Sequence, residues 1–383
     1  MSSKIIYKET GYITMKNMQD KTDIKELSQD QLVEWLKSRK MAPYRARQIF
    51  KWIYMRQADS FEAMTDLSNA LRLLLVENFT LSRLKKRRIE TSSDGSKKYL
   101  FCLTDGSLVE SVLIPEKDHY TLCISSQVGC AQGCAFCLTA TGGFVRHLST
   151  GEIVAQVRDA VREIPADDTR RLSNIVFMGM GEPLANYKNV IRAVHVITDS
   201  DYGLKFSPRR ITLSTAGLVP QLEKLGYDTD VNLAISLNAT DNKTRDQLMP
   251  INRKYPLEKL LEVCRNYPLR PRRRITFEYI LIKGVNDSPR DAGRLAKLLQ
   301  GIRCKINLIA FNEHAGSDFR RSDEPTILRF QEILHNHNYT AVIRYSKGLD
   351  ISAACGQLKA NEEQEKPCPT VRPADACHFP GAI

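Results

Sequence analysis

The sequence lacks any long apolar segment. No run of eighteen apolar residues occurs among its 383 residues, so no membrane-spanning helix can be identified. The first residues, MSSKIIYKETGYITMKNMQDKTD, have no apolar core of the kind found in secretory signal peptides. We therefore predict a cytoplasmic protein without a membrane partner. In that reducing compartment the ten cysteines are not expected to form a structural disulfide framework, and clustered ones are expected to bind metal or do chemistry.

Negative charge is scarce in the first hundred residues. That part carries 20 Lys and Arg against 12 Asp and Glu, whereas the rest of the chain carries 36 against 32. The net charge of the whole chain is +12. This imbalance predicts a polyanionic partner that meets the N-terminal region first. A basic but idle solvated surface is the alternative.

Changes of pattern divide the chain into segments. A candidate capping box at Ser28 and Gln31 opens a helical pattern, and the run of four basic residues from Lys85 leads into strand-like stretches with Asp-Gly turns. The tail is polar and rich in proline, and its Cys368 and Cys377 receive no role. The predicted segments are a poorly ordered N-terminus (1–27), a helical domain that would meet the polyanionic partner (28–84), a linker with a β-hairpin extension (85–118), a barrel (119–358) and a flexible tail (359–383).

Strand-like segments alternate with helical ones in the barrel region. Such alternation predicts parallel strands joined by crossover helices, and hence a full or partial α/β barrel whose chemistry lies at the carboxyl ends of the strands. The predicted strands are YTLCISS (120–126), NIVFMGM (174–180), RITLSTA (210–216), VNLAISL (231–237), ITFEYILI (275–282), KINLIAF (305–311) and TAVIRY (340–345).

Three cysteines follow the first of these strands closely. Cys130, Cys134 and Cys137 form C-x3-C-x2-C. Thiolates this close repel each other unless a cation neutralises them, so a metal is expected. No second C-x2-C pair lies nearby, although structural zinc usually takes four ligands. Three ligands suit a [4Fe–4S] cluster with one iron left open, and zinc with Cys123 as a fourth ligand is the alternative.

The cysteine spacing resembles the signature of radical S-adenosylmethionine enzymes, in which the open iron binds the amino and carboxylate groups of that cofactor. Later motifs agree with this resemblance. Gly181 and Glu182 in MGMGEP resemble the site for the methionine amine of the cofactor. Further polar residues fall at predicted strand ends, where ordinary strand termini are the alternative explanation. The expected cofactor-binding residues are Gly181, Glu182, Ser214, Ser236, Leu237, Asn238 and Asn312.

Motifs from about residue 28 to 358 resemble the RlmN/Cfr family of radical RNA methyltransferases, and RlmN-type members most of all. The motifs include MAPYRARQIFKWIY, VESVLIP, CISSQVGCAQGCAFC, MGMGEPLANY, LMPINRKYPLEKLL, LIKGVNDS and DISAACGQL. The resemblance implies an α/β fold, a partial (β/α) radical-SAM barrel with a small N-terminal helical RNA-recognition domain. It also implies methylation of carbon 2 of an adenosine in 23S ribosomal RNA, with the adenosine beside the tRNA anticodon as a second candidate substrate.

The resemblance further implies a role for each candidate catalytic residue. Two molecules of S-adenosylmethionine are used per turnover. The first methylates the cysteine matching Cys355, and the second supplies a radical that activates this methyl group for addition to the base. The carboxylate matching Glu110 then takes the proton from carbon 2. The cysteine matching Cys123 attacks the Cys355 sulfur, and the resulting disulfide releases the product.

Two positions depart from the family pattern. Asn238 stands where the family often has His, and Glu313 stands where Pro is common. A side-chain contact at Asn238 would therefore be in doubt, whereas a backbone contact would not. The alternatives are a Cfr-type enzyme acting on carbon 8 and a non-catalytic zinc RNA-binding protein. We further expect a flavodoxin or ferredoxin as electron donor and a monomeric state.

Overall fold

The N-terminal domain is a small helical unit closed by a short strand pair. The computed structural model describes residues 21–81, 83–314 and 316–358. The predicted capping box is present, since Gln31 N donates to Ser28 Oγ and Ser28 N donates to Gln31 Oε1. The domain contains β1 (Thr22–Asp23), a 3₁₀ helix (Ile24–Glu26), α1 (Gln29–Ser38), α2 (Arg45–Phe50), a π-helical segment (Lys51–Met55), α3 (Asn69–Asn78) and β2 (Phe79–Thr80).

Order begins earlier than the sequence pattern predicted. Thr22 and Asp23 pair in parallel with Phe79 and Thr80, although 1–27 was expected to be poorly ordered. A strand of two residues is too short to show a periodic pattern in the sequence. Its pairing is also not readable, because the partner strand lies more than fifty residues away in the chain. The predicted poorly ordered residues 1–20 lie outside the described residues, as does the predicted tail 359–383 with Cys368 and Cys377.

The segment between the helical domain and the barrel continues the barrel sheet. β5 pairs in antiparallel fashion with the first barrel strand through Val112 and Cys123. The expected hairpin is therefore a three-stranded extension of one ten-stranded sheet, and not a separate linker. Its strands are β3 (Lys85–Thr91), β4 (Lys97–Cys102) and β5 (Leu108–Pro115).

The barrel strands run parallel in chain order, which confirms the predicted α/β fold class. All seven predicted strands are present. The last strand is at one edge of the ten-stranded sheet and β3 is at the other, so the barrel is partial. The seven strands are β6 (His119–Cys123), β9 (Arg171–Phe177), β10 (Ile211–Thr215), β11 (Asn232–Ser236), β12 (Ile275–Leu281), β13 (Cys304–Ala310) and β14 (Ala341–Arg344).

Helices cover the outer face of the barrel strands. Alternate strand residues such as Leu213, Ile235 and Phe277 point to this face and are fully buried. The helices of this region are α4 (Leu138–Thr141), α5 (Thr150–Val161), α6 (Tyr187–Thr198), α7 (Val219–Asp228), α8 (Asn242–Leu248), α9 (Leu257–Asn266), α10 (Pro289–Leu298) and α11 (Glu324–Asn336). The described residues also form two short strands, β7 (Gln127–Gly129) and β8 (Phe144–His147), and 3₁₀ helices at Pro208–Arg210, Pro250–Arg253 and Leu349–Ile351. None of the described helices is both long and apolar enough to cross a lipid bilayer.

The helical domain packs on the first crossover helix, α5. Glu26 accepts a hydrogen bond from Gly151 N at 3.0 Å, at the start of α5. Further along the same helix, the buried Arg158 donates to Ala58 O at 2.6 Å and forms an ion pair with Asp59 at 2.8 Å. Charged and backbone contacts at both ends of α5 therefore fix the helical domain against the barrel.

Candidate active site

The register of the sheet places polar side chains on one face. Cys123 pairs with Val112 on β5 and with Val176 on β9, and Val176 pairs with Thr212. Because cross-strand partners share a face and residues two apart share a face, this register can be followed across the sheet. The residues that it places on the interior face are Lys98, Glu110, Cys123, Ser214, Ser236, Glu278 and Asn307.

A tight loop after β6 gathers the three cysteines of the C-x3-C-x2-C motif. Cys130 N donates to Gly143 O at 2.7 Å, and Cys137 N donates to Cys134 O at 3.1 Å. Gly129, just before the loop, has a φ of +73°, and a Cβ there would lie 2.0 Å from Gly143 O. Only glycine can adopt this approach, so the backbone itself brings the thiols of the motif together.

The three thiols fit an iron–sulfur cluster better than a single ion. Burial raises the pKa of Cys130 to about 12 and raises that of Cys134 further, and neighbouring thiolates add to both shifts. A cation is therefore needed to hold the thiolate forms. Within the described ranges, no three His, Cys, Asp or Glu side chains lie close enough to share one metal ion. Ligands of a cubane cluster bind different irons and stand further apart than ligands of one ion, which this arrangement allows.

Glu182 lies in the loop after β9, and its carboxylate accepts hydrogen bonds from backbone N–H groups. Its two carboxylate oxygens accept hydrogen bonds from Leu184 N at 2.9 Å and Ala216 N at 2.7 Å. Burial raises the pKa of this carboxyl group. Gly181 has a φ of +99°, and a Cβ there would lie 2.5 Å from the Gln127 side chain. An ammonium group would have to share Glu182 with these two donors, and its binding stays a prediction.

The residues predicted at the ends of β10 and β11 use different atoms. Ser214 Oγ donates to Glu278 Oε2 at 2.8 Å. Leu237 is fully buried, and its N donates to Glu278 O at 3.0 Å. Ser236 is half-buried, and its carbonyl accepts from the side chain of Arg245. Leu237 can therefore offer a ligand only its backbone, whereas the Ser214 hydroxyl points into the interior.

Asn238 has a structural side chain. Its Oδ1 accepts from Ile280 N at 2.9 Å, its carbonyl accepts from Asn286 Nδ2 at 2.7 Å, and its φ is +59°. Asparagine tolerates this left-handed conformation better than most residues. A side-chain contact with the cofactor, which the departure from the family pattern puts in doubt, would have to compete with the Ile280 bond. Asn238 as a cofactor-binding residue stays a prediction.

Cys355 lies on a loop that is fastened over the cysteine motif. Asn312 Nδ2 donates to Cys355 O at 3.1 Å, and Leu138 N, next to Cys137, donates to Gly356 O at 2.7 Å. Cys355 is exposed as a residue, but burial of its thiol, followed by the charges of Glu278 and Cys137, raises the pKa of that thiol to about 12. The loop thus places the thiol beside the predicted cluster site.

Cys123 lies close enough to Cys355 for their charges to interact. Burial is the main cause that raises the pKa of Cys123, and a charge on Cys355 raises it further. Both residues are free thiols in the structure, which therefore does not support the predicted disulfide; its transient formation stays a prediction. The buried Cys123 lies at the end of β6, and the exposed Cys355 lies on the loop.

Glu110 is buried in the middle of β5 and faces the ammonium group of Lys98. Lys98 Nζ lies 3.7 Å from Glu110 Oε1 and donates to Ile351 O at 2.6 Å. Lys98 therefore connects the predicted base to the chain segment that carries Cys355.

Sequence reasoning missed Lys98 and Glu278. Glu278 is buried, burial raises its pKa, and its charge raises the pKa of both Cys355 and Cys123. A carboxylate within the otherwise apolar segment ITFEYIL was a readable signal, since an unpaired charge is rarely placed in a buried strand. Lys98 carried no such signal, because KKYLFC reads as an ordinary strand beginning at the surface.

Comparisons with known proteins agree with this geometry. A model of the ribosomal RNA large subunit methyltransferase N-terminal domain matches residues 22–81, and a model of the radical SAM superfamily matches residues 124–296. The first of these matches begins at Thr22, which is the first residue of β1. Membership of this superfamily implies a [4Fe–4S] cluster and S-adenosylmethionine, as the sequence predicted.

Close relatives cover nearly the whole chain. The dual-specificity RNA methyltransferase RlmN of Desulfosudis oleivorans is 56% identical over 365 residues, 94% of this chain and 98% of the relative. The protein of the same name from Geobacter sulfurreducens is 56% identical over 345 residues, 90% and 94% of the two chains. A crystal structure of a radical SAM methyltransferase from Sphaerobacter thermophilus has a TM-score of 0.83 at 44% identity, covering 89% of this chain and all of the other. The chain therefore belongs to the RlmN family of radical SAM RNA methyltransferases.

Proposed function

We propose that this protein methylates carbon 2 of an adenosine in 23S ribosomal RNA, and of the adenosine beside the anticodon in tRNA, through a methylated Cys355. The relatives' shared name, dual-specificity RNA methyltransferase, supports an RNA substrate of two kinds. Two structural observations support the mechanism. Cys123 and Glu110 share the interior face of the sheet, and the loop of Cys355 is bonded through Gly356 O to Leu138 N, next to Cys137.

The cofactors are assigned to the loop and strand ends described above. Cys130, Cys134 and Cys137 would hold the cluster, which together with S-adenosylmethionine supplies a radical for abstraction of hydrogen. S-Adenosylmethionine would bind along Gly181, Glu182 and the backbone of Leu237, near the Ser214 hydroxyl and Asn312. Asn238 would contribute backbone groups, because its side chain already accepts from Ile280 N. Ser236 would present its side chain from the interior face, because its carbonyl is already bonded to Arg245.

Cys355 is proposed as the methyl carrier. It lies beside the predicted cluster site, and the Asn312 and Leu138 bonds keep its loop in one position. A thiolate attacks the methyl group of a sulfonium readily, whereas carbon 2 of adenine has no lone pair for such a displacement. The methyl group therefore reaches the base by way of sulfur.

Glu110 and Cys123 are proposed to complete the transfer. When the S-bound methylene radical adds to carbon 2, one unpaired electron is left on the adenine ring. The ring would become aromatic again once that electron returns to the iron–sulfur centre that supplied it and Glu110 takes the proton from carbon 2. The Cys123 thiolate then attacks the Cys355 sulfur, the carbon–sulfur bond breaks, and its electron pair remains on the product, which takes up a proton to become a methyl group. Two thiols are thereby oxidised to one disulfide, which a cellular thiol or dithiol reduces before the next turnover.

The helical domain and the edge strand β3 are proposed to bind RNA. β3 carries Lys85, Lys86, Arg87 and Arg88 at the edge of the sheet. Lys86 forms an ion pair with Glu163, so not every charge in this run is equally available to phosphate. A flavodoxin or ferredoxin as electron donor, a monomeric state and a cytoplasmic location complete the proposal.

A reconstitution experiment tests the function. Protein loaded with iron and sulfide under anaerobic conditions is incubated with S-adenosylmethionine, a reductant and transcripts of ribosomal RNA or tRNA. Nuclease digestion and mass spectrometry should then yield 2-methyladenosine from both transcripts. 8-Methyladenosine as the product would assign the Cfr-type activity instead, and unmodified RNA would contradict the methyltransferase.

A further inference from the structure

Arg245 is a fully buried arginine held only by neutral groups. Its guanidinium donates to Leu237 O at 3.1 Å, Ala216 O at 2.9 Å and Ser236 O at 3.2 Å, and to Asn252 Oδ1 at 3.0 Å. No carboxylate in the described part of the chain forms an ion pair with it. Arg245 lies on α8 and bonds to the carboxyl ends of β10 and β11, where the site is built.

A buried cation without an anion is costly. Carbonyl dipoles offset part of the lost hydration, but a buried charge is normally paired with an opposite charge. Desolvation lowers the pKa of Arg245 to about 10. Arg158 is also a fully buried arginine, but it forms an ion pair with Asp59 at 2.8 Å. The carboxylate of Asp246 favours the charged form of Arg245, but it is linked to Arg245 through Asn252, whose Nδ2 donates to Asp246 Oδ1 at 2.7 Å. Among the described residues Arg245 therefore has no direct ion pair.

The cysteine loop lies directly against the helix of Arg245. Ala135 N donates to Leu248 O at 2.9 Å, which ties the loop to the last residue of α8. Cys134 and Cys137 pack against the cluster of apolar residues that contains Leu248.

We infer that Arg245 is the buried counter-charge of the thiolate-ligated cluster. Its positive charge, on the helix that contacts the cysteine loop, would raise the reduction potential of the cluster. This inference rests on the proposed function, since it requires the cluster. Net charge around a cluster is one of the factors that set its potential, and a nearby cation favours the more negative reduced state. Arg245 acts through the cluster, so it is a positioning and electrostatic residue and not a catalytic one.

The competing explanation is purely structural. The four hydrogen bonds of Arg245 join β10, β11 and the turn at Asn252, and their loss alone could disorder the site. Two variants separate the charge from the hydrogen bonds. Neither can donate the same four bonds, since the Gln amide has two N–H donors and the Lys ammonium has three, but Arg245→Lys keeps the charge and Arg245→Gln removes it. A property that the Lys variant keeps and the Gln variant loses therefore depends on the charge.

The experiment is a redox titration of the reconstituted cluster, followed by electron paramagnetic resonance, with iron content and Tm measured alongside. Arg265→Gln is the matched control, because it removes one positive charge from an exposed position on α9. We expect Arg245→Gln to shift the midpoint potential to more negative values, and Arg245→Lys and Arg265→Gln to stay near wild type. The inference would also be supported if the Arg245→Lys protein bound the cluster and the Arg245→Gln protein bound no iron, because only the Lys variant keeps the positive charge.

Three outcomes would overturn it. The first is an Arg245→Gln protein with a loaded cluster and an unchanged potential. The second is loss of the cluster in both Arg245 variants, which would show that the four hydrogen bonds matter and not the charge. The third is wild-type protein that binds no iron, which would overturn the proposed function together with this inference, whereas the first two leave that function intact.

Discussion

Ser214 on β10 donates a hydrogen bond to Glu278 on β12 across the intervening strand, with 2.8 Å between Oγ and Oε2. On the intervening strand β11, Ala234 pairs with Ser214 and Ser236 pairs with Glu278, so this bond runs diagonally across β11. The bond places a buried carboxylate in the barrel interior, beside both catalytic thiol candidates. It also ties a residue expected to bind the cofactor to one that no motif had indicated.

The buried Glu278 should make stability depend on pH. Burial raises its pKa in the folded protein, so the folded state binds this proton more tightly than the unfolded state. The contribution is full below the unfolded pKa and is lost as pH rises through the raised folded pKa. Glu278→Gln removes this dependence, so its Tm relative to wild type should increase between pH 5 and pH 8. Thermal unfolding at both values measures this difference, and a constant difference would contradict the prediction.

The Cys355→Ala and Cys123→Ala variants should stop the methyl transfer at different steps. Cys355→Ala should form neither an RNA adduct nor product, because the carrier is absent. Cys123→Ala keeps the carrier and should accumulate a covalent protein–RNA complex, since no thiolate attacks the Cys355 sulfur. Denaturing gel electrophoresis of reactions with labelled RNA distinguishes the two variants. Buried Cys264→Ala is the matched control, and normal turnover by Cys123→Ala would make Cys123 an ordinary strand residue.

Glu110 should act after the adduct forms. Glu110→Gln keeps the size of the side chain but cannot take the proton from carbon 2, so product formation should fall by about 10²- to 10⁴-fold. The same variant should retain protein–RNA adduct. Single-turnover assays that follow adduct and product separately provide the measurement. Loss of product without any adduct would place Glu110 at an earlier step.

The three loop cysteines should carry all of the iron. Anaerobically reconstituted wild-type protein should contain about four irons per chain, the stoichiometry of a [4Fe–4S] cluster. Replacing Cys130, Cys134 and Cys137 together by Ala should abolish this iron, while the Cys355→Ala variant should retain it. Metal analysis and visible absorbance check both statements. Active enzyme with stoichiometric zinc and no iron would sink the cluster assignment.

The basic run on β3 should contribute to RNA affinity. Replacing Lys85, Lys86, Arg87 and Arg88 by Gln should weaken binding and reduce the slope of log affinity against log salt by less than about one per residue, because Lys86 already pairs with Glu163. Arg329→Gln, on the exposed face of α11, is the control. Filter binding at several salt concentrations gives the slopes, and unchanged slopes would show that the run is an idle surface.

The sequence by itself determined the strand and helix order of the barrel, the loop of three cysteines and the family. Each of these depends on local information: the apolar strand segments, a C-x3-C-x2-C spacing and contiguous motifs. Cys130, Cys134 and Cys137 are near each other in space because the turns between them are short, and no distant residue is needed to establish this.

Only the tertiary structure decided which distant residues share the interior of the barrel. Sheet register places Glu110 and Glu278 on the face of Cys123, and register results from pairing between segments far apart in the chain. The same long-range packing turns the Asn238 side chain toward backbone groups and buries Arg245 without a direct ion pair among the described residues. A sequence pattern records which residues are polar, but the partner that satisfies each polar group is chosen by folding.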